Sequence, residues 1–301
     1  MKDLHFGVAK EIITPSIPMT MMGFGTVFGN FFINIHDDLF VRTLLLKSGD
    51  EPLILVSLDL LFHNDRLPEM LREYVSGKYH VKKDHLIINY SHTHFGPAVE
   101  GYDFNFLKQA YEDFLLERCK ASIDRAFLNI RKGTLSYGKV AGDWNISRRL
   151  PVNGEIEFAP NPDGLRDPNI HMLRLCDEEG ALCALLTNFA CHPSNLGTYR
   201  TISSEYPGRL CALVDANNYG STTLFFQGFG GDAKLKIGVG ENGRFRGITF
   251  DECNQVAASM AQSVQDALGS DDWLPIEPDF AAKLFTLSVP LDVRPKSYFE
   301  N

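Results

Sequence analysis

Histidines stand at the tips of two apolar runs in this 301-residue chain. The first run, Leu86 to Tyr90, leads into Ser91-His92-Thr93-His94-Phe95-Gly96-Pro97. In a strand, residues two apart project to one face, so His92 and His94 point into one cleft at the strand's end. Gly96 and Pro97 then turn the chain and leave the imidazoles at a rim. Imidazole is the commonest zinc ligand, and such a pair can supply one metal ligand and a neighbour that polarises substrate. The same pair could equally be two hydrogen-bonded histidines at a strand edge. A second run, Ala184 to Ala190, repeats the device and ends in Cys191-His192-Pro193-Ser194-Asn195. Ligands converging from the ends of separate strands are how many α/β enzymes build a site. A third run, Leu224 to Gln227, ends in Gly228-Phe229-Gly230-Gly231-Asp232. Its glycines allow close backbone approach, and its N–H groups could form an oxyanion hole. The Walker spacing is absent, which excludes a phosphate loop.

The elements that must position these tips alternate between short strands and amphipathic helices. Leu39 to Leu46 and Pro52 to Asp59 read as strands of a hairpin closed by Lys47-Ser48-Gly49-Asp50. Leu67 to Tyr79 is a helix, and Leu86 to Tyr90 a buried strand. From Phe106 to Phe127, apolar residues recur every three or four positions, one stripe of a long helix. Thr134 to Val140, Ile170 to Cys176 and Ala181 to Ala190 read as strands, the last two as a hairpin. Asn145 to Asp167, rich in Pro, Asn, Gly and Arg, reads as a long functional loop. Glu205 to Ala216 and Asp251 to Leu268 read as helices, Thr222 to Gln227 and Ala282 to Leu291 as strands. Two hairpins within strand–helix alternation predict an α/β fold, a mixed sheet flanked by helices in a single domain.

Composition narrows the function. Hydrophobic residues make up 44% and charged residues 22%, an ordinary globular balance. A net charge of -9 with no basic face argues against a nucleic-acid partner. No run approaches the ~18 apolar residues of a membrane span. The amino-terminal residues lack the apolar stretch of a signal peptide, so a cytoplasmic protein is expected. The six cysteines lie in apolar segments with no C-x-x-C pair, as buried small hydrophobes do. A small-molecule or lipid-like substrate is the expected partner.

Seven segments in order resemble the neutral ceramidase family. They are Gly7 to Pro15 with Met22-Gly23-Phe24-Gly25, Ile35-His36-Asp37-Asp38-Leu39 with Ser57-Leu58-Asp59, and the His92-Thr93-His94 segment. Asn145-Ile146-Ser147-Arg148, Phe189 to Pro193, Ser203 to Gly208, and Gln227 to Asp232 complete them. The resemblance implies zinc bound by His92 and His192, with His94 beside the metal handling a substrate oxygen or a proton. It places Arg148 against the scissile carbonyl and implies hydrolysis of an amide or related acyl bond. Family domains continue past this length and take a further glutamate and tyrosine ligand from that later part, so the chain is expected to lack it.

Two departures bear on mechanism. Where family members carry a serine after the Gly-Asp pair, Gly231-Asp232-Ala233 is followed by Lys234. A serine nucleophile is thereby excluded there, and a polar or negatively charged substrate is expected in place of a neutral sphingolipid. Glu205 stands where Asp is common. Asp59, ending an apolar strand, is expected either to accept from a zinc-ligating imidazole or to cap the following turn. His36 suits turn chemistry as well as a site. His5, His63, His80 and His85 sit in polar contexts and read as ordinary, and Trp144 and Phe229 read as core or cleft lining. The competing reading is a ceramidase-like binding protein that has lost turnover.

Overall fold

The computed structural model describes residues 3–24, 29–49, 51–62, 66–99, 106–197, 199–288 and 290. Its main sheet begins with β1 (Leu4–Ile12), β2 (Phe40–Lys47), β3 (Pro52–Leu58) and β4 (Leu86–Tyr90). Two further strands of the middle of the chain, β5 (Arg131–Ala141) and, after a hairpin, β8 (Asn169–Asp177), continue it. The hairpin itself is β6 (Asn145–Val152) and β7 (Glu155–Asn161). β9 (Leu182–Phe189) and β10 (Thr222–Gln227) form the far edge, β11 (Ala233–Leu235) joins the hairpin, and β12 (Leu274–Pro275) pairs with β5. The order across the main sheet is β10-β9-β8-β5-β1-β2-β3-β4. Pairing is antiparallel except for β3 with β4 and β9 with β10, so the sheet is mixed, as expected.

Four helices accompany it: α1 (Arg66–Tyr79), α2 (Phe106–Leu128), α3 (Glu205–Asn217) and α4 (Phe250–Leu268). Alternation along β1 decides what each face meets. Leu4, Phe6 and Val8 join one apolar cluster with Leu44, Leu46, Leu175 and Leu224. Ala9 turns the other way, to the larger cluster that takes Leu115, Cys119 and Ile123 from α2 and Met260 and Val264 from α4. At Gly7 a Cβ would lie 1.9 Å from the Ala126 carbonyl oxygen, so only glycine lets α2 settle on the sheet. α4 starts at a capping box in which Thr249 Oγ1 accepts from the Glu252 N–H and the Glu252 carboxylate from the Thr249 N–H.

The sheet's two edge strands meet. The Asn89 side chain on β4 donates to the Gln227 carbonyl on β10 at 3.2 Å and accepts the Gln227 N–H at 2.7 Å. One amide side chain thus occupies the place of a neighbouring backbone and covers an edge that would otherwise be open. Ser57 Oγ adds a bond to the Phe225 carbonyl at 2.5 Å.

Two expectations are corrected. Residues 145–167 are not a plain loop: β6 and β7 pair around Asn153-Gly154, whose φ angles are 51° and 85°. That is the two-residue turn with positive φ that an Asn-Gly pair favours. The strand expected over Ala282 to Leu291 is absent from residues 282–288, where no ladder forms and most side chains are exposed; 289 and 291 lie outside the described residues. Leu274–Pro275 provides the sheet pairing in that part of the chain.

Candidate metal centre

His92, His94 and His192 converge, with one ring nitrogen from each lying within 4.8 Å of the others. Ring centroids are 5.2 Å apart for His92–His94, 4.7 Å for His92–His192 and 4.8 Å for His94–His192. His92 follows β4 with φ 65°, a left-handed conformation that costs a non-glycine residue energy and is often found at functional sites. Its N–H donates to the Leu60 carbonyl at 3.0 Å, and its Nδ1 lies 2.9 Å from the Leu61 carbonyl. A carbonyl only accepts, so Nδ1 carries the proton and Nε2 keeps a free lone pair. His94 is fixed in the same way, with Nδ1 2.6 Å from the Gly23 carbonyl. With its proton on Nδ1, His94 Nε2 accepts from His192 Nε2 at 2.8 Å. Gly23 has φ 129°, and a Cβ there would lie 2.5 Å from the His94 carbonyl oxygen.

All three imidazoles are held neutral, the form that binds metal. Burial lowers His92, and it lowers His94 to about 4. His192 falls to about 3, through burial first and then the Arg148 charge.

The tip that carries His192 is fixed at five successive carbonyls. Asn145 Nδ2 donates to Ala190 at 2.9 Å, and Tyr206 Oη and Gln227 Nε2 donate to Cys191 at 2.5 and 3.1 Å. Asn195 Nδ2 donates to His192 at 2.8 Å, the His94 N–H to Pro193 at 3.1 Å, and Lys234 Nζ to Ser194 at 2.8 Å. Asn195 is held in turn by Glu205 Oε1 at 2.8 Å and by the Leu235 N–H at 3.0 Å. Such support fixes the position of the histidine it carries. None of this clamp was anticipated apart from the residues' presence in the quoted segments. An Asn three residues after a tip histidine is its one local signal.

Arg148, on β6, directs Nε and Nη2 to the Gly231 carbonyl at 2.9 and 2.6 Å, and its N–H donates to the Asp232 carbonyl at 2.7 Å. Gly231 therefore meets Arg148 through its oxygen. Among the described residues the Gly231 and Asp232 N–H groups have no acceptor, while those of Gly228 and Gly230 donate to Phe189 and Gly228 carbonyls. Lys234, 9% exposed, lies with Nζ 6.0 Å from the Phe158 ring and 5.7 Å from that of Phe245.

The remaining expected residues lie in other settings. Asp59 does not accept from an imidazole; the Nδ1 protons of His92 and His94 go to backbone carbonyls. Its Oδ2 instead accepts from Arg42 Nη1 at 2.7 Å and the Phe40 N–H at 3.0 Å. Both partners of that ion pair are buried; burial pushes the Asp59 carboxyl up and the Arg42 charge opposes it. His36 is structural, stacked on Phe250 at 3.9 Å and bonded to Asp37, which accepts from Ser203 Oγ and the Ser204 N–H at the start of α3. Trp144 is core and donates to Ser259, Phe229 is fully exposed, and His85 is buried on the Pro52 carbonyl. His63 lies outside the described residues. Five cysteines are buried and Cys176 is half-buried, all free. No helix among the described residues is long and apolar enough to cross a membrane.

No family model matches the sequence. The structure is similar to a solved neutral ceramidase from Pseudomonas aeruginosa, with TM-score 0.76 and 17% identity over 92% of this chain and 46% of that one. A ceramidase solved in complex with C2 gives TM-score 0.77 and 18% identity over the same shares. The chain spans about half the length of the structures it matches, at 46%. It has the fold of the neutral ceramidase structures.

Proposed function

We propose that the chain is the catalytic domain of a zinc-dependent hydrolase that cleaves an amide or related acyl bond in a small-molecule or lipid-like substrate. The observation that carries this reading is the convergence of three neutral imidazoles, two with Nδ1 fixed on carbonyls, beside an arginine that has no carboxylate partner. His92 and His192 would hold the ion. Two nitrogens on one tetrahedral zinc lie about 3.3 Å apart, given bonds of about 2.0–2.1 Å. The 2.8 Å between His94 Nε2 and His192 Nε2 is instead a hydrogen bond; to hold the ion through Nε2, His192 would release that proton, with His94 beside it as the group that relays protons. When bound, zinc would supply Lewis-acid polarisation and activate water.

The chain's own residues do the rest. Arg148 has Nη1 left over after bonding Gly231 and can donate it to oxygen charge that develops as the acyl carbon is attacked. The unpaired Gly231 and Asp232 N–H groups are available for the same charge. Lys234 excludes the covalent serine route at its position, so water is the nucleophile. The likeness in fold to ceramidases supports an acyl–nitrogen bond over other acyl bonds. The alternative, a ceramidase-like binding protein without turnover, draws its support from Lys234 and from a described ligand set that is all histidine.

The test is hydrolysis of short polar N-acyl amines and of ceramide, with and without a chelator. Chelator-sensitive release of the acid from the polar amides is expected, with ceramide cleaved slowly. Chelator-resistant hydrolysis, or fast ceramide cleavage, contradicts the reading.

A further inference from the structure

Two cations border the histidine cluster without an acidic partner. Lys234 is 9% exposed and makes no ion pair; its one hydrogen bond, to the Ser194 carbonyl, uses one of three ammonium donors. Arg148 makes no ion pair either, and its bonds go to the Gly231 carbonyl. The Phe158 ring lies near both, 5.3 Å from the Arg148 guanidinium carbon and 6.0 Å from Lys234 Nζ, and is 56% exposed. A buried cation without a counter-ion is costly in free energy, and nature seldom keeps one that has no partner to meet. Three other cations near the hairpin are paired, Arg166 and Lys236 with Asp143 and Arg244 with Glu157, while Arg149, which forms no ion pair, is exposed to water, unlike Lys234.

Two carboxyl groups come near and neither neutralises the pair. Asp232 is exposed and forms no ion pair with Arg148. Glu205 is spent on Asn195, accepting its Nδ2 at 2.8 Å. No salt bridge joins it to Lys234, whose ammonium is disfavoured by burial and favoured by the nearby Glu205.

We infer that Lys234, with Phe158 beside it, seats an anionic group on the substrate's leaving side while Arg148 keeps Nη1 for the acyl oxygen, so that the substrate class is an N-acyl amino acid or a similar acylated amine bearing a carboxylate. This rests on the hydrolase reading above. Phe158 and Phe245 supply an apolar wall, and the ammonium over aromatic rings is the arrangement of a cation–π contact. In the reaction the acyl carbon–nitrogen bond breaks and a carbon–oxygen bond to water forms. Both protons of water pass to the nitrogen, which leaves as an ammonium, and the acyl group leaves as a carboxylate. No oxidant or further reactant is needed.

The experiment compares N-octanoylglycine with N-octanoylglycinamide, which share the acyl chain and the scissile bond and differ in one negative charge. Wild-type protein loaded with zinc is expected to show kcat/KM at least tenfold higher for the glycine form, a preference that weakens as salt screens the charges. In Lys234→Met the preference is expected to fall several-fold. Equal rates for the two compounds in wild type overturn the inference, whether or not the variant folds. A preference that survives Lys234→Met in folded protein also overturns it, since the carboxylate would then be seated elsewhere. Should neither compound be hydrolysed, the hydrolase reading fails, and calorimetric binding of the same pair decides the subsite separately. There, at least tenfold tighter binding of N-octanoylglycine, lost in Lys234→Met, supports the subsite and equal binding overturns it.

Discussion

Replacing Arg42 with Met should unfold this protein far more readily than its place outside the histidine cluster suggests. Arg42 and Asp59 are 2% and 0% exposed, and Asp59 Oδ2 has the guanidinium at 2.7 Å and the Phe40 N–H as its partners. Asp59 Oδ1 has no hydrogen-bond partner. Arg42→Met thus leaves a fully buried carboxylate with one backbone donor. Breaking such a pair from one side costs about 3–5 kcal/mol, a large part of the roughly 5–15 kcal/mol that holds a typical protein folded. Removing both charges in Arg42→Met/Asp59→Leu deletes the desolvation penalty with the pair and should recover most of the loss. Urea unfolding followed by circular dichroism measures the cycle, and metal analysis of each folded variant is run beside it. A loss below about 1 kcal/mol in Arg42→Met would refute the buried-pair argument. Zinc content that drops in Asp59→Leu while stability holds would return Asp59 to the metal's surroundings.

Three other perturbations have defined outcomes. Arg148→Ala should keep stability within about 1 kcal/mol while turnover falls at least tenfold; a large loss of stability with normal turnover contradicts its role. Gly23→Ala places a Cβ 2.5 Å from the His94 carbonyl oxygen at φ 129°, so turnover should fall with zinc retained, and unchanged kinetics would show that His94 does not need its Gly23 anchor. Glu205 has a folded pKa raised to about 8 by burial, against roughly 4.3 for the unfolded chain. The folded state holds a proton that the unfolded state has released between those values. Its contribution is therefore complete below the lower value and is lost as pH rises through the upper one. Glu205→Gln should flatten stability from about pH 5 to 8 relative to wild type, and parallel profiles would contradict the shift.

The strands and helices with strong periodicity were legible because their packing is local in pattern. The 40–58 hairpin, the long helix at 106–128 and the strand tips of His92 and His192 all lie where their sequence puts them. β1 does not read as a strand in the sequence because its apolar residues are interrupted by His5, Gly7 and Lys10, and Gly7 makes sense only once Ala126 packs on it. The β6–β7 hairpin was legible at Asn153-Gly154 and was obscured by prolines and charges on the exposed face. Asp59 was misplaced for a different reason. A carboxyl at a strand end faces several candidate partners, and the competing Arg42 sits on the adjacent strand, in a register that one sequence does not reveal. The same holds for the clamp on residues 190–194, assembled from Asn145, Tyr206, Gln227 and Lys234 across distant parts of the chain.

The central claim is that His92 and His192 hold one zinc ion, and metal content reads it directly. Wild-type protein, loaded with zinc and freed of excess by gel filtration, is analysed by mass spectrometry of the metal beside His92→Ala and His192→Ala. About one zinc per wild-type chain is expected, with a sharp fall in each variant, because affinity drops steeply when a ligand is lost. Unchanged stoichiometry in both variants would contradict the account.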